Sequence, residues 1–245
     1  MHYVAITSEG KEDGVPLKDE LEAAVYDIVR ASWAKRNGYL VPEPSDLQLG
    51  NDAVNLRAAV LYADLQDSTK LVDTQLNTTA AEVYKSYMVC AARIIKNEGG
   101  SVTAYDGDRI MGVFLGDTKS DAAAKSALRI NWALGAIVNP YLKRIYGESA
   151  YQAKHVIGVD MSNILACRIG VRNDNDLVWI GRAANYAAKL SAINENFPVY
   201  ITGDVFDELV SAKYGGQARQ LMWEQRTWTN MNFMRLYRSN WTWSL

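Results

Sequence analysis

The sequence predicts an α+β fold, a ferredoxin-like βαββαβ sheet with an N-terminal helical extension and a C-terminal β-hairpin. Three observations carry the prediction. Two apolar, β-branched runs, residues 58–63 and 109–114, are separated by a segment of helical periodicity. An Asp106-Gly107 step opens the second run, and Asp-Gly between extended segments is a strong hairpin signal. Helix and strand patterns further along complete the order β-α-β-β-α-β, which places helices on one face of a sheet.

Taken in order, residues 1–15 start on a short apolar stretch and turn polar, fitting either a small added strand or an unstructured arm. From 16 to 35, Leu17, Leu21, Ala24, Val25, Ile28, Val29 and Trp33 recur at helical spacing, and Lys35-Arg36-Asn37-Gly38 reads as a basic end and a stop. This amphipathic helix needs a partner surface. Pro42, Pro44 and Gly50 mark 38–55 as a connector, so the chain divides into an N-terminal segment 1–55 and a main domain 56–245.

After the first strand, a helix is expected from Ser68 to Asp73, and a second, capped at Thr78-Thr79, runs to about Asn97 before Gly99-Gly100 stops it. Strands flank the Asp106-Gly107 turn. Residues 121–146 read as one long alanine-rich helix, interrupted at Pro140. Strands are expected at 154–160 and 163–172 around a tight connection at 160–162, and 173–176 is a polar turn. A helix at 181–194, a strand at 199–202 and a helix at 204–213 follow. The tail, with Trp223, Trp228, Trp241 and Trp243, alternates large and polar residues as a closing hairpin does.

Composition narrows the function. The 245 residues are 49% hydrophobic, enough for a sizeable core. A net charge of −2 gives no support to a protein that coats nucleic acid or a membrane surface. Any polyanionic ligand must be held by metal ions and a few placed cations. Cys90 and Cys167 lack paired spacing and sit in apolar surroundings, as packed thiols in a reducing compartment do. No run approaches eighteen apolar residues, and 1–14 lack a signal-peptide apolar core, so a cytoplasmic location is expected. His2 and His155 are too isolated for a metal cluster and are expected to be hydrogen-bonded or solvated.

Asp64 closes the first run, and Asp108 lies in the turn that opens the second. If the two strands pair, both carboxylates reach one edge of a buried sheet, where unpaired charge is costly and a divalent cation is the natural partner. That is the outline of a two-metal site for phosphoryl chemistry. Asn185 and Lys189 lie four apart on one helix face, behind the small run Gly181-Arg182-Ala183-Ala184 that lets a backbone or nucleotide approach.

Tyr62-x-Asp64-Leu65-x-x-Ser68-Thr69, Gly107-Asp108 with Phe114, and Trp179-x-Gly181-x-x-x-Asn185-x-x-x-Lys189 together resemble the catalytic domain of class III nucleotide cyclases. Within that class, the chain is most similar to the bacterial pyrimidine cyclases of the Pycsar anti-phage systems, as Arg36-Asn37-Gly38 through Val41-Pro42 also suggests. The resemblance covers roughly residues 15–243, and motif spacing is its most specific part.

The resemblance implies a cyclase fold whose catalytic domain is 56–245. It implies two Mg²⁺ or Mn²⁺ ions per site, held by Asp64, Asp108 and the Leu65 carbonyl. It implies that Asn185 orients the ribose and that Lys189 stands where most relatives have an arginine stabilising charge on the α-phosphate. Lysine supplies that charge without the bidentate fork, and Arg182 is a candidate for the missing guanidinium. Asp67, in a turn that departs from the family's usual Gly-Phe-Thr or Gly-Ser-Thr step, is expected to cap the following helix.

Ala104 and Val178 occupy the positions where purine cyclases carry a base-reading lysine and aspartate, and neither side chain can hydrogen-bond a base edge. Tyr62 replaces a common phenylalanine; its hydroxyl either narrows the base pocket or reaches a pyrimidine carbonyl, and a plain core aromatic fits equally well. The implied activity is conversion of UTP, less readily CTP, to the 3′,5′-cyclic monophosphate and pyrophosphate. The implied assembly is a homodimer with shared active sites, its product a second messenger for antiviral defence sensed by a separate effector. Two other readings remain open, an adenylate or guanylate cyclase with an atypical base pocket and a catalytically inactive nucleotide-binding dimer. Arg226 and Arg235 are candidates for the β- and γ-phosphates.

Overall fold

A computed structural model describes residues 16–245; the arm 1–15, with His2, lies outside the described residues. Two long antiparallel strands form the spine. β2 (Asp52–Gln66) runs against β5 (Lys154–Val171) with Asp64 opposite Val156 and Ala53 opposite Cys167. β4 (Arg109–Phe114) lies along the other side of β2, and β3 (Ser101–Asp106) is the edge beyond it. On the far side of β5, β7 (Val199–Thr202) pairs in parallel and leads to the C-terminal hairpin of β10 (Glu224–Trp228) and β11 (Met234–Ser239). The sheet order is therefore β10-β11-β7-β5-β2-β4-β3; β1 (Ala34–Asn37) pairs with β2, and β6 (Asp174–Gly181) with β5. A small ribbon, β8 (Tyr214–Gly215) with β9 (Gln220–Leu221), stands apart.

Alternation along β2 divides its side chains between two cores. Ala59, Leu61, Ala63 and Leu65 face the larger one, built with α3 (Asn77–Asn97), α4 (Lys119–Ala133) and α7 (Gly203–Glu208). Ala58 and Val60 face the other, closed by Ala183, Ala184 and Ala187 of α6 (Arg182–Ser191). The expected helices of the βαββαβ unit do lie on one face, and α6 crosses the opposite one. Burying a side chain such as Leu61 is worth about 1.5–3 kcal/mol.

The turn between β2 and α3 carries α2 (Ser68–Thr74). α3 ends as its sequence predicts: Gly99 sits at φ +81°, its N–H donates to Lys96, and the Gly100 N–H donates to Ile95, a Schellman closure. Pro140 does not break the next helix outright. Residues 134–138 widen into a π-turn in which Asn139 donates to the Leu134 carbonyl, and α5 (Asn139–Tyr146) starts with Pro140 in its first turn, where a missing N–H costs nothing.

Four expectations are corrected. The connection at 160–162 does not exist, because Asp160, Met161 and Ser162 pair with Val60, Ala59 and Ala58 within continuous β5. The helix expected to 213 stops at Glu208, because the Asp121 carboxylate accepts the N–H groups of Val210, Ser211 and Ala212 at 2.9, 2.9 and 2.7 Å. The N-terminal helix α1 (Leu17–Arg30) ends earlier than 35, as Asn51 caps its last carbonyls at Ile28 and Ala31 and the chain re-enters as β1. The division at 55/56 consequently falls inside β2. None of the α1 residues is buried.

Candidate active site

Asp64 lies near the C-terminal end of β2, opposite Arg109 of β4 and Val156 of β5. The β3–β4 hairpin brings Asp108 to it. Gly107, at φ +61°, is the first of the two turn residues, a conformation glycine adopts without strain. The turn is tied to β2 through the Leu65 N–H, which donates to the Asp108 carbonyl at 3.3 Å.

Electrostatics single out Asp64. Burial and then the nearby charge of Asp108 push its carboxyl up to about 6, against the lowering effect of Arg109. Arg109 is not free to neutralise it, since its guanidinium donates to Asp106 at 2.6 Å and lies over the Tyr62 ring. The edge therefore holds a partly buried carboxylate whose charge is under-compensated, beside a second carboxylate and a strand-end carbonyl. Hard oxygen donors with excess negative charge suit a divalent cation such as Mg²⁺ or Mn²⁺. Among the described residues no group of three or more acidic, histidine or cysteine side chains gathers, and the oxygen groups at this edge are two carboxylates and main-chain carbonyls.

Tyr62 lies two residues before Asp64 on the same face of β2, half-buried, its phenol pushed up by burial. Ala104 follows a bulge in β3 and sits opposite Met111, while Val178 of β6 sits opposite Cys167. Three strands, β4, β2 and β5, separate β3 from β6, so one chain does not join Ala104 and Val178 within its sheet.

α6 lies over β5 with almost no clearance. A Cβ on Gly158 would stand 2.2 Å from the Ala187 carbonyl oxygen and 2.6 Å from the Leu190 Cβ. With Ala183, Ala184, Ala187, Leu190 and Ser191 buried, Asn185 and Lys189 are left exposed on the outer face. The Lys189 Nζ approaches the Met231 sulfur at 3.6 Å, and no hydrogen bond or ion pair joins either residue to Asp64 or Asp108 among the described residues. Asp64 and Asp108 thus lie at one sheet edge, and Asn185 and Lys189 lie exposed on α6.

Several expectations change. Arg182 does not offer a free guanidinium: it donates to Asp160, to the Met161 carbonyl and to Asp204 within the chain. Asp67 occupies the N-cap position of α2 at φ +56° and makes no side-chain capping bond. Arg235 and Arg226 are paired with Asp207 and Glu224. His155 is neither solvated nor hydrogen-bonded; it is buried, with both ring nitrogens unpartnered, and burial pushes it down to about 3, so it is neutral.

The sequence marks Tyr87 only as an apolar position of the helix ending near Asn97. It is fully buried on α3, its hydroxyl has no partner, and its ring tilts against His155 at 5.5 Å between centroids. Burial and the charges of Asp64 and Asp108 hold the phenol protonated. Its helical spacing with Val83 and Ala91 gave only a core signal.

Sheet, hairpin-borne carboxylates and outward-facing α6 residues together define a class III cyclase catalytic domain. The fold matches the crystal structure of the adenylyl cyclase CyaB from P. aeruginosa with a TM-score of 0.64 at 15% identity, covering 76% of this chain and 95% of that one. No protein-family model matches the sequence. Uridylate cyclase of Xanthomonas perforans is 44% identical over 230 residues, 94% of this chain and 99% of its own, and uridylate cyclase of Burkholderia cepacia is 43% identical over 232 residues, 94% and 99%. The chain belongs to the uridylate cyclase family.

Proposed function

We propose that the protein converts UTP to 3′,5′-cyclic UMP and pyrophosphate, as a homodimer in which Asp64 and Asp108 of one chain face Asn185 and Lys189 of the other. The observation that carries the reading is the convergence of Asp64 and Asp108 at one sheet edge, with Asp64's charge under-compensated. The relatives bearing the name uridylate cyclase support the choice of UTP over CTP. The exposed position of Asn185 and Lys189, with no hydrogen bond or ion pair to either carboxylate among the described residues, supports the shared site.

Asp64, Asp108 and the Leu65 carbonyl would hold two Mg²⁺ or Mn²⁺ ions, which when bound would lower the pKa of the ribose 3′-hydroxyl and neutralise the triphosphate. Asn185, with both a donor and an acceptor, orients the ribose. The 3′-hydroxyl gives its proton to solvent water, its oxygen bonds to the α-phosphorus, and the bond from that phosphorus to the pyrophosphate oxygen breaks, releasing pyrophosphate. Lys189 sets positive charge beside the α-phosphate, where negative charge builds during this exchange. Tyr62, Ala104 and Val178 form base-facing positions without the purine-reading lysine and aspartate, which favours a smaller base.

Among the described residues no helix is long and apolar enough to cross a membrane. A cytoplasmic enzyme whose product is a second messenger for antiviral defence, sensed by a separate effector, follows from the likeness to the pyrimidine cyclases. The test is incubation with each of the four ribonucleoside triphosphates and Mn²⁺, products being resolved chromatographically. Cyclic UMP as the main product is expected. A cyclic purine nucleotide would replace this reading with that of an atypical purine cyclase, and nucleotide binding without pyrophosphate release would leave an inactive regulatory dimer.

A further inference from the structure

Arg182 does no work as a phosphate ligand within its own chain, yet it stands at the centre of the most connected polar node on the α6 side of the sheet. Its Nε donates to Asp160 at 3.1 Å, and its Nη2 donates to Asp160 at 3.3 Å and to the Met161 carbonyl at 2.7 Å. The same Nη2 reaches Asp204 of α7. Asp160 is fully buried and also accepts from the Thr202 hydroxyl at 2.5 Å, which joins β7 to the node. One residue on, the Ala183 N–H donates to the Ser162 hydroxyl at 2.9 Å. The first turn of α6 is fastened to three successive residues of β5, and through Asp160 and Asp204 to two further elements.

A buried ion pair adds little net stability, since desolvation consumes most of the attraction, but it discriminates sharply between orientations. Here the orientation matters. Asn185 and Lys189 follow Arg182 at i+3 and i+7, on the same side of the helix, about 4.5 and 10.5 Å further along its axis. Rotation of the first turn would swing both. The tight seat of Gly158 beneath Ala187 fixes the height of α6 over the sheet, and the Arg182 node fixes its rotation.

We infer that Arg182, held by Asp160 and Asp204, is a positioning residue that aims Asn185 and Lys189 at the nucleotide. The inference rests on the cyclase reading given above. Arg182 acts through Asn185 and Lys189 and does not touch the substrate.

The test uses the full chain, UTP and Mn²⁺, with the variants Arg182→Ala, Arg182→Lys, Asn185→Ala and the double variant Arg182→Ala with Asn185→Ala. Arg182→Ala is expected to lower kcat about 10- to 100-fold, with KM changed less than about threefold, since misplacing a group by about 1 Å costs this much in rate. Arg182→Lys is expected to recover part of the loss. In the Asn185→Ala background the Arg182→Ala change is expected to cost clearly less than in the wild type, because only Lys189 is then left to misplace. Wild-type kcat in Arg182→Ala, or losses that multiply in the double variant, would overturn the inference. If Arg182→Ala does not fold, Asp204→Asn at the exposed rim of the node takes its place, with a loss of about 3- to 10-fold expected and an unchanged kcat overturning the inference. A wild-type protein that cyclises no triphosphate would overturn both readings, while an active one indifferent to Arg182 would overturn this one alone.

Discussion

Leu65 donates its backbone N–H to the carbonyl of Asp108, and this single bond binds the β3–β4 turn to the end of β2. The carboxylates of Asp64 and Asp108 therefore share an edge through backbone geometry, whatever ion lies between them. Bringing two acids together before a cation arrives costs stability, and that cost is a signature of function.

Removal of either acid is expected to separate stability from activity. Asp64→Asn and Asp108→Ala should lower turnover by on the order of 10³-fold or more. Asp64→Asn should at the same time stabilise the divalent-free protein at pH 7 by about 1–2 kcal/mol, a figure discounted for the partial exposure of Asp64. Mn²⁺ should raise the melting temperature of the wild type and leave that of Asp64→Asn unmoved. Retained activity, or an equal Mn²⁺ response, would remove the metal role from these residues.

The proposed sharing of sites between chains makes a mixing experiment decisive. Asp108→Ala and Asn185→Ala chains are each expected to keep only a small residual activity alone. Unfolding and refolding them together should return about a quarter of wild-type activity, because half of the random dimers are mixed and each of those regains one intact site. Absence of recovery from well-mixed chains would place all the groups of a site on one chain.

Acid sensitivity should trace to His155. Its folded pKa, about 3, lies below the unfolded value of about 6.5, so the unfolded state takes up a proton first and stability falls as pH drops through that interval. The slope from this residue is about 1.4 kcal/mol per pH unit, or about 2 kcal/mol by pH 5. Asp64, raised to about 6, works in the opposite sense, adding stability as it is protonated between about 6 and 4. Urea midpoints at pH 7 and pH 5 should show a loss in wild type that is smaller in His155→Leu; equal losses would assign the acid response elsewhere.

Gly158→Ala tests the seat of α6. The added methyl meets the Ala187 carbonyl at 2.2 Å, and backbone must move to admit it. A destabilisation of about 1–3 kcal/mol is expected, together with a fall in kcat larger than any change in KM. A fully active and stable variant would show that α6 tolerates displacement.

The carboxylate edge was legible in the sequence because every signal there is local: apolar strands, an Asp-Gly turn and acids at fixed offsets. What escaped was set by contacts between distant segments. Asp160 and Ser162 look like turn residues in the chain, but in the fold they sit mid-strand and serve Arg182 and Ala183 across the sheet. Arg182 read as a free cation because its three acceptors, at 160, 161 and 204, are remote in sequence. The early end of α7 depends on Asp121, some ninety residues earlier. The unpartnered pairing of Tyr87 with His155 leaves no local trace at all.

α1 shows Leu17, Leu21, Val25 and Val29 to solvent and, among the described residues, is tied to the rest by the Asn51 side chain. A helix of 14 residues is about as short as an isolated one can be and still persist in water. Little among the described residues holds it wound, so its helicity would gauge how fully any surface that covers its apolar side is engaged. Dilution far below the concentration at which that surface is occupied should unwind this segment first, while the nine-stranded sheet stays intact.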